Sequence, residues 1–416
     1  MVLTCFVALG FLQNWNDNIP TFLAVYLFEF LIYGISVKLA LQKRFDTIPR
    51  VSLFIILIAV AARLTVLPTE PSLSEDLYRY IWDGRAQVAG FNPYDYPPSA
   101  PEIRALRDEN YPKMKFTELR TLYPPAVQNL FHLIARISTG VYVFKFAIFL
   151  FDVLLIEVIR RLLRKEGLSP SLLLIYAWHP LPIVEFSGSS HLDVIALSFM
   201  MTAYLLVSGS RNMFGGITFS LAVLTKYFPL LALPWMFQKG GWKFLVFFAI
   251  TSLCLVAQFY TPDLLMFDMA FTFYKKWWFN DSLFGIFSVW FGGAEPARIW
   301  GFFFVCLSAI LCLSARYSFY RSFFVIYGAV ILFGPAVHPW YVCWMIPFLV
   351  FHPSRPWIFF TGWVALSYLI RFLYPTGVWK PVLWLKLLVY LPFYFLLLTS
   401  LFRPAPKQEA VMRAKA

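Results

Sequence analysis

Asp76, Arg79, Tyr80 and Asp83 recur at i, i+3, i+4 and i+7 within the run Ser74-Glu75-Asp76-Leu77-Tyr78-Arg79-Tyr80-Ile81-Trp82-Asp83-Gly84-Arg85. That spacing gathers side chains on one face of a helix. Ser72 followed three residues later by Glu75 fits a capping box, so the sequence predicts a helix starting there. In its first turn the helix dipole would favour Asp76 as a carboxylate. A carboxylate held at a cleft can take a proton from an attacking hydroxyl. On spacing alone a second reading stands beside this one: Asp76 pairs with Arg79 or Arg85 as loop scaffolding.

Further polar residues interrupt apolar sequence. Lys226 breaks the apolar stretch 213–238, where an ammonium is costly unless paired, the alternative being a side chain that snorkels to the interface. His191 and Asp193 follow Gly188-Ser189-Ser190 at the end of a helical hairpin. His338 precedes Pro339-Trp340, and its alternative is packing at a helix break. Trp178, His179 and Pro180 read as a helix-terminal packing element, and Glu185 is left open between the two kinds of role. No close ligand spacing joins His191, Asp193 and His338, so no metal site is assigned.

The elements that must position these residues are membrane helices. Of 416 residues, 60% are apolar or aromatic and 14% charged, with a mean hydropathy of +0.67; soluble domains carry about 25% charged residues. Apolar runs at 1–13, 21–41, 51–67, 141–160, 170–186, 191–208, 213–225, 227–238, 243–261, 297–315, 322–336, 339–351, 357–373 and 381–402 predict about 12 to 14 crossings. The expected fold is therefore all-α and polytopic, a single membrane domain over 1–416. The long loop 68–140 carries amphipathic helices, with 124–139 along the interface and the mixed segment 99–122 as an ordered surface loop.

The net charge of +13 does not mark a nucleic-acid partner, because the basic residues sit in short loops between apolar runs. They are Lys43, Arg44 and Arg50; Arg160, Arg161, Arg164 and Lys165; Lys239 and Lys243; Arg316 and Arg321; and the tail Arg403, Lys407, Arg413 and Lys415. Placed inside, these loops put both termini in the cytoplasm of a multi-pass plasma (inner) membrane protein. The polar stretches 68–140, 187–193, 225–229, 275–282 and 336–341 then gather on the periplasmic or extracellular side. Polar residues collected on one side of a membrane protein mark a site. The five cysteines all lie in apolar runs and read as buried small hydrophobes.

The run from Ser74 to Arg85 resembles the GT-C superfamily, and within it bacterial polyprenyl-phosphate-mannose-dependent mannosyltransferases. Further matches are Gly90-Phe91-Asn92-Pro93-Tyr94, Leu122-Tyr123-Pro124-Pro125, Trp178-His179-Pro180-Leu181, Glu185 through Asp193, Thr225-Lys226-Tyr227-Phe228-Pro229 and Val337-His338-Pro339-Trp340-Tyr341. They extend in family order from about Ser74 to Tyr341.

The resemblance implies a membrane glycosyltransferase that moves a hexose, mannose by the match, from a polyprenyl phosphate to a glycan or glycolipid acceptor. Asp76 takes the general-base position. Glu75 stands where relatives often carry a second acid, and helix capping is the reading favoured for it. Such enzymes usually invert the anomeric carbon in one displacement and need no nucleotide. No cofactor is expected, and a divalent ion is left open. A departing phosphate needs cations: Arg79, Arg85, Lys226 and His338 are assigned, while Lys275 and Lys276, beside Trp277 and Trp278, serve equally as an interfacial anchor. Tyr80, Asp83, His191 and Asp193 are assigned to sugar or acceptor. A lipid-linked sugar flippase or transporter is the rival; it would carry inverted repeats and a mid-depth site, and neither is evident.

Overall fold

The computed structural model describes residues 2–261, 263, 265–374 and 382–402. The basic tail residues Arg403, Lys407, Arg413 and Lys415 and the first residue of the expected span 381–402 lie outside these. Among the described residues the fold is all-α. In chain order the main helices are α1 (Val2–Phe11), α2 (Ile19–Leu41), α3 (Val51–Val66), α4 (Asp76–Val88), α5 (Pro125–Ile137), α6 (Val141–Lys165), α7 (Asp193–Val207) and α8 (Asn212–Val223). There follow α9 (Leu233–Ala257), α10 (Leu265–Lys276), α11 (Leu283–Trp290), α12 (Ala294–Ser314), α13 (Phe319–Phe333), α14 (Arg355–Trp363) and α15 (Leu383–Leu401).

Among the described residues, five helical stretches are long and apolar enough to cross a membrane: Asn16–Leu41, Phe228–Ala257, Ala294–Ser314, Arg355–Leu373 and Leu383–Ser400. A sixth results if Pro180–Gly188 and Asp193–Val207 count together. The expected 12 to 14 crossings thus do not correspond one-for-one to long helices. Proline breaks several runs: 170–186 divides into short 3-10, α and π turns, and Pro339–Leu349 is similarly broken. Leu31, Leu57, Leu253, Phe302 and Leu391 are exposed on these helices, as expected of surfaces solvated by lipid. Cysteine burial departs from expectation for the same reason. Cys5, Cys312 and Cys343 are buried, but Cys254 on α9 is exposed and Cys306 on α12 is intermediate.

The chain forms two compact units and passes between them at Val66, Leu162, Glu185 and Lys276. The first takes in the described residues of Met1–Val66, Leu163–Glu185 and Trp277–Ala416; the second is Leu67–Leu162 with Phe186–Lys276. In the first unit, buried Arg63 of α3 donates to the carbonyls of Ala59 and Ala177 at 3.1 and 2.8 Å. His179 accepts from the Leu181 amide at 3.1 Å and meets the Thr361 hydroxyl at 2.9 Å, which makes it the helix-terminal packing element expected.

In the second unit, α4 and α5 carry the long loop. Asp76 opens α4 and Arg85 lies in its last turn, both complementing the dipole. The capping box does not form. The helix begins at Asp76, which leaves Ser72 outside it; the Ser74 hydroxyl accepts from the Asp76 amide at 3.3 Å, and Glu75 makes no cap bond. Glu75 pairs instead with Lys115 at 3.0 Å. Helix α5 opens with Pro125, whose missing N–H costs nothing in the first turn. Its 13 residues span about 20 Å, short of the roughly 30 Å hydrocarbon core. The segment between the two helices is ordered by short 3-10 turns and a cluster of Tyr78, Trp82, Ile103 and Met114.

Gly84 sets the spacing of α4 against α5, because a Cβ there would lie 2.5 Å from the Phe131 carbonyl oxygen and 2.9 Å from the Ala135 methyl. In an open helix Gly→Ala gains about 1 kcal/mol. At this position Gly84→Ala is expected to destabilise the protein by about 1–3 kcal/mol, as overpacking does. Thermal unfolding of the detergent-extracted chain checks this, and an unchanged or raised midpoint contradicts the close approach.

Candidate functional site

The site is built from the inner side of the long loop upward. Asp83 is 1% exposed, and both of its oxygens are taken. Oδ1 accepts from Arg79 Nε at 2.7 Å, and Oδ2 from the Thr121 hydroxyl at 2.6 Å and Gln128 Nε2 at 2.8 Å. Gln87 Nε2 donates to Gln128 Oε1 at 2.8 Å and extends the network across α4 and α5. Asp83 thus ties α4 to α5 and to the strand-like approach at Thr121. Arg79 also donates to the Leu119 carbonyl at 3.0 Å through Nη1, while its buried Nη2 has no partner among the described residues. Arg85 is committed within the loop: it pairs with Asp108 at 2.6 Å and donates to the Leu106 carbonyl and the Thr139 hydroxyl.

Tyr80, one turn after Asp76, is fully buried and stacks on Phe131, ring centroids 4.9 Å apart, with Tyr123 edge-on at 4.9 Å. Its hydroxyl bonds Tyr123 and the backbone of Leu192. That last bond ties the α4 face to the turn before α7. Burial pushes the Tyr80 phenol well above its usual range, and the nearby Tyr123, Asp76 and Asp193 push it further, so it remains a neutral donor.

The turn before α7 is unusual. Ser190 adopts φ +63°, a left-handed conformation that costs energy for a residue with a Cβ. Lys145 of α6, fully buried, donates to the carbonyls of Gly188 at 2.6 Å and Thr69 at 2.5 Å, fixing the turn to the start of the loop. The hydroxyls of Ser187, Ser189, Ser190 and Thr225 are buried and have no hydrogen-bond partner among the described residues. Unsatisfied buried hydroxyls call for an explanation, and a polar ligand supplies one.

The turn leads into His191, which is fully buried, and Asp193, 1% exposed. Lys226 Nζ meets Asp193 Oδ1 at 2.6 Å. Helix α8 ends just before Lys226, and the Leu224 carbonyl accepts from the Ala126 amide of α5 at 2.9 Å. A first-turn amide of α5 is thereby satisfied by the chain that presents Lys226. Lys226 is therefore paired, as its position in apolar sequence requires.

Asp76 lies among these groups. It is half-buried. Loss of water lifts its carboxyl above the usual range; the charges of His191 and Lys226 pull it back, and those of Glu75 and Asp193 push it up. The second unit thus assembles Asp76, Arg79, Tyr80, His191, Asp193 and Lys226 as one cluster, with Asp83 and Arg85 as its supports.

The remaining expected residues lie elsewhere. His338 belongs to the first unit, where its ring is sandwiched between Phe279 at 4.8 Å and Trp340 at 4.3 Å. Glu185 accepts from the Tyr368 hydroxyl at 2.8 Å in that unit. Lys275 and Lys276 are exposed in the last turn of α10. Sequence reasoning missed Lys145, Thr121 and Gln128. A cation inside the apolar run 141–160 was the available signal for Lys145, and nothing local marked the other two.

The fold and this cluster define a polytopic helical membrane protein that carries a polar, carboxylate-centred site in its second unit. A family model for the alpha-(1->6)-mannopyranosyltransferase N-terminal domain matches residues 27–238, about half of the chain. The protein belongs to that family, which fits a GT-C mannosyltransferase, and its chemistry is mannosyl transfer. The matched region includes every member of the cluster and ends before His338. No curated protein and no solved structure matches the chain.

The Lys226–Asp193 pair generates a stability prediction. Lys226→Met removes the ammonium that faces the buried Asp193 carboxylate and is expected to destabilise the protein by about 3 kcal/mol. Asp193→Asn in the same chain is expected to recover most of that loss. Denaturation of both variants in detergent decides the matter; no recovery in the double variant contradicts the pairing.

Proposed function

We propose that the protein transfers mannose from a polyprenyl phosphate to a primary hydroxyl of a glycan or glycolipid, with Asp76 as general base on the outer face of the membrane. The observation that carries this reading is the placement of Asp76 among His191, Asp193 and Lys226 in the region matched to the mannosyltransferase family. An α-linked product formed in one inverting displacement requires a β-linked sugar phosphate as donor. The 6-hydroxyl named by the family is a primary alcohol, a weak nucleophile until its proton is taken.

In this reaction the acceptor oxygen forms a bond to the anomeric carbon as the bond to the phosphate oxygen breaks. The hydroxyl proton passes to the Asp76 carboxylate, and the electron pair of the broken bond leaves with the polyprenyl phosphate. Lys226 and the free Nη2 of Arg79 are suited to the growing phosphate charge. His191, Asp193, Tyr80 and the buried hydroxyls of Ser187, Ser189, Ser190 and Thr225 suit a sugar, whose several hydroxyls need both donors and acceptors. Arg85, bound to Asp108, and Asp83, bound on both oxygens, act here as positioning groups. The inside placement of the basic loops is the support for an outward-facing site.

Asp76→Asn keeps the shape and removes the base. Turnover of β-mannosyl phosphoryl polyprenol with a mannosyl acceptor is expected to fall on the order of 10²–10⁴-fold, with an unchanged thermal midpoint; full activity in this variant removes Asp76 from the mechanism. The raised Asp76 pKa has a definite sign. The base works only when ionised, so the rate is expected to fall on the acid side through a pKa above the ordinary carboxylate range. Glu75 is one of the charges raising it, so Glu75→Gln should move that acid limb to lower pH. A limb that stays in place, or moves up, contradicts the electrostatic account.

A further inference from the structure

A second candidate site lies in the first unit. Helices α2 and α14 enclose a half-open groove of about 1300 Å³. Its walls are apolar, with Leu31 and Ile35 of α2 and Ile358 and Phe359 of α14 among them. Its rim is basic, formed by Lys38, Lys43, Arg44 and Arg355. All four cations are exposed, and no carboxylate lines the groove. Among the described residues none of the four side chains takes part in an ion pair or hydrogen bond, whereas Arg160 and Arg161 close by in type both pair with Glu157. Four uncompensated cations in one place repel one another and call for an anion.

Both walls belong to stretches long and apolar enough to cross a membrane, so the groove opens where lipid chains lie. Lys38 is in the last turn of α2 and Arg355 opens α14, which puts the charge at one end of the groove. From Leu27, the first lining residue of α2, to Lys38 the helix rises about 16 Å. That is one leaflet's half of a hydrocarbon core about 30 Å thick. The volume also exceeds the roughly 300–1000 Å³ typical of small-molecule pockets, leaving room for acyl chains as well as a headgroup.

We propose that this groove binds an anionic phospholipid, its phosphate held by Lys38, Lys43, Arg44 and Arg355 and its acyl chains laid along α2 and α14. Basic pockets between membrane helices bind anionic headgroups in this way. The basic loops 42–50 and 352–356 share the side assigned to the cytoplasm, so the lipid belongs to the inner leaflet. The groove does not involve Asp76 or its neighbours and does not depend on the reaction proposed above.

Gly34 provides a steric test, because it lines the groove and a Cβ there meets nothing within 4 Å. Gly34→Leu starts from an unobstructed Cβ, adds bulk to the groove and improves helix propensity. The measurement is native mass spectrometry of the detergent-extracted full chain with phosphatidylglycerol or phosphatidylcholine at equal concentration. Wild type is expected to retain phosphatidylglycerol preferentially. The triple variant Lys43→Gln, Arg44→Gln, Arg355→Gln should lose that preference, on the order of 100-fold. Gly34→Leu should reduce binding of phosphatidylglycerol with its charges intact. Equal retention of the two lipids by wild type overturns the proposal, as does an undiminished preference in the triple variant or undiminished phosphatidylglycerol binding by Gly34→Leu. Displacement by polyprenyl phosphate but not by phosphatidylglycerol would overturn it by assigning the groove to a different lipid. Monodisperse elution and an unchanged helical circular dichroism signal establish that each variant compared is folded.

Discussion

The candidate site depends on keeping carboxylates charged where little water reaches them, and the Lys226–Asp193 ion pair is where that constraint is met most directly. A buried carboxylate without a partner would be protonated or would unfold its surroundings. Asp193 is 1% exposed and Lys226 approaches it at 2.6 Å, so the buried carboxylate has a partner. Both charges act on Asp76, together with His191, which draws its carboxyl down, and Glu75, which pushes it up. Lys226 draws the Asp76 carboxyl down and Asp193 pushes it up, against a larger upward push from desolvation. A carboxylate lifted above its ordinary range is a stronger base than an exposed aspartate, which suits the proton removal proposed for it.

The pair in turn depends on structure that contributes no chemistry of its own. Asp83 ties Arg79, Thr121 and Gln128 into one network, which fixes the face of α4 on which Asp76 and Tyr80 stand. Gly84 allows α4 and α5 to meet backbone to side chain. The Ala126 amide bonds the carbonyl of Leu224 and anchors the chain just before Lys226. Lys145 grips Gly188 and Thr69 together, setting the strained turn that delivers His191. The strain at Ser190 is sustained because its neighbours are over-determined, a pattern common where geometry matters for ligands.

Much of this was legible in the sequence, and for physical reasons. The all-α membrane fold followed from composition and run length, because lipid admits only internally bonded backbone. The face shared by Asp76, Arg79, Tyr80 and Asp83 followed from helix periodicity, and the pairing of Lys226 from the cost of an ammonium in apolar sequence. What failed was local detail with near-equal alternatives. Ser72 and Glu75 satisfy a capping pattern, but Ser74 sits two residues closer to the helix and takes the Asp76 amide instead. The partners of Asp83 lie 38 and 45 residues away, and no spacing rule reaches so far. Part of the difference in the count of long helices comes from prolines, which divide runs such as 170–186 and 339–351 without making them less apolar.

Tyr80 and His191 illustrate how the two levels combine. Each stood out by residue type and neighbours in sequence, but only the fold reveals that the backbone of Leu192, next to His191, is bonded to the Tyr80 hydroxyl. That link joins the face of α4 that carries Asp76 to the residues that open α7. A single displacement with one carboxylate leaves a stereochemical record. The most direct measurement is therefore the anomeric configuration, by NMR, of product made by wild-type protein from a β-linked mannosyl phosphate donor. The account predicts an α-linked mannose; a β-linked product would mean net retention of configuration and would contradict it.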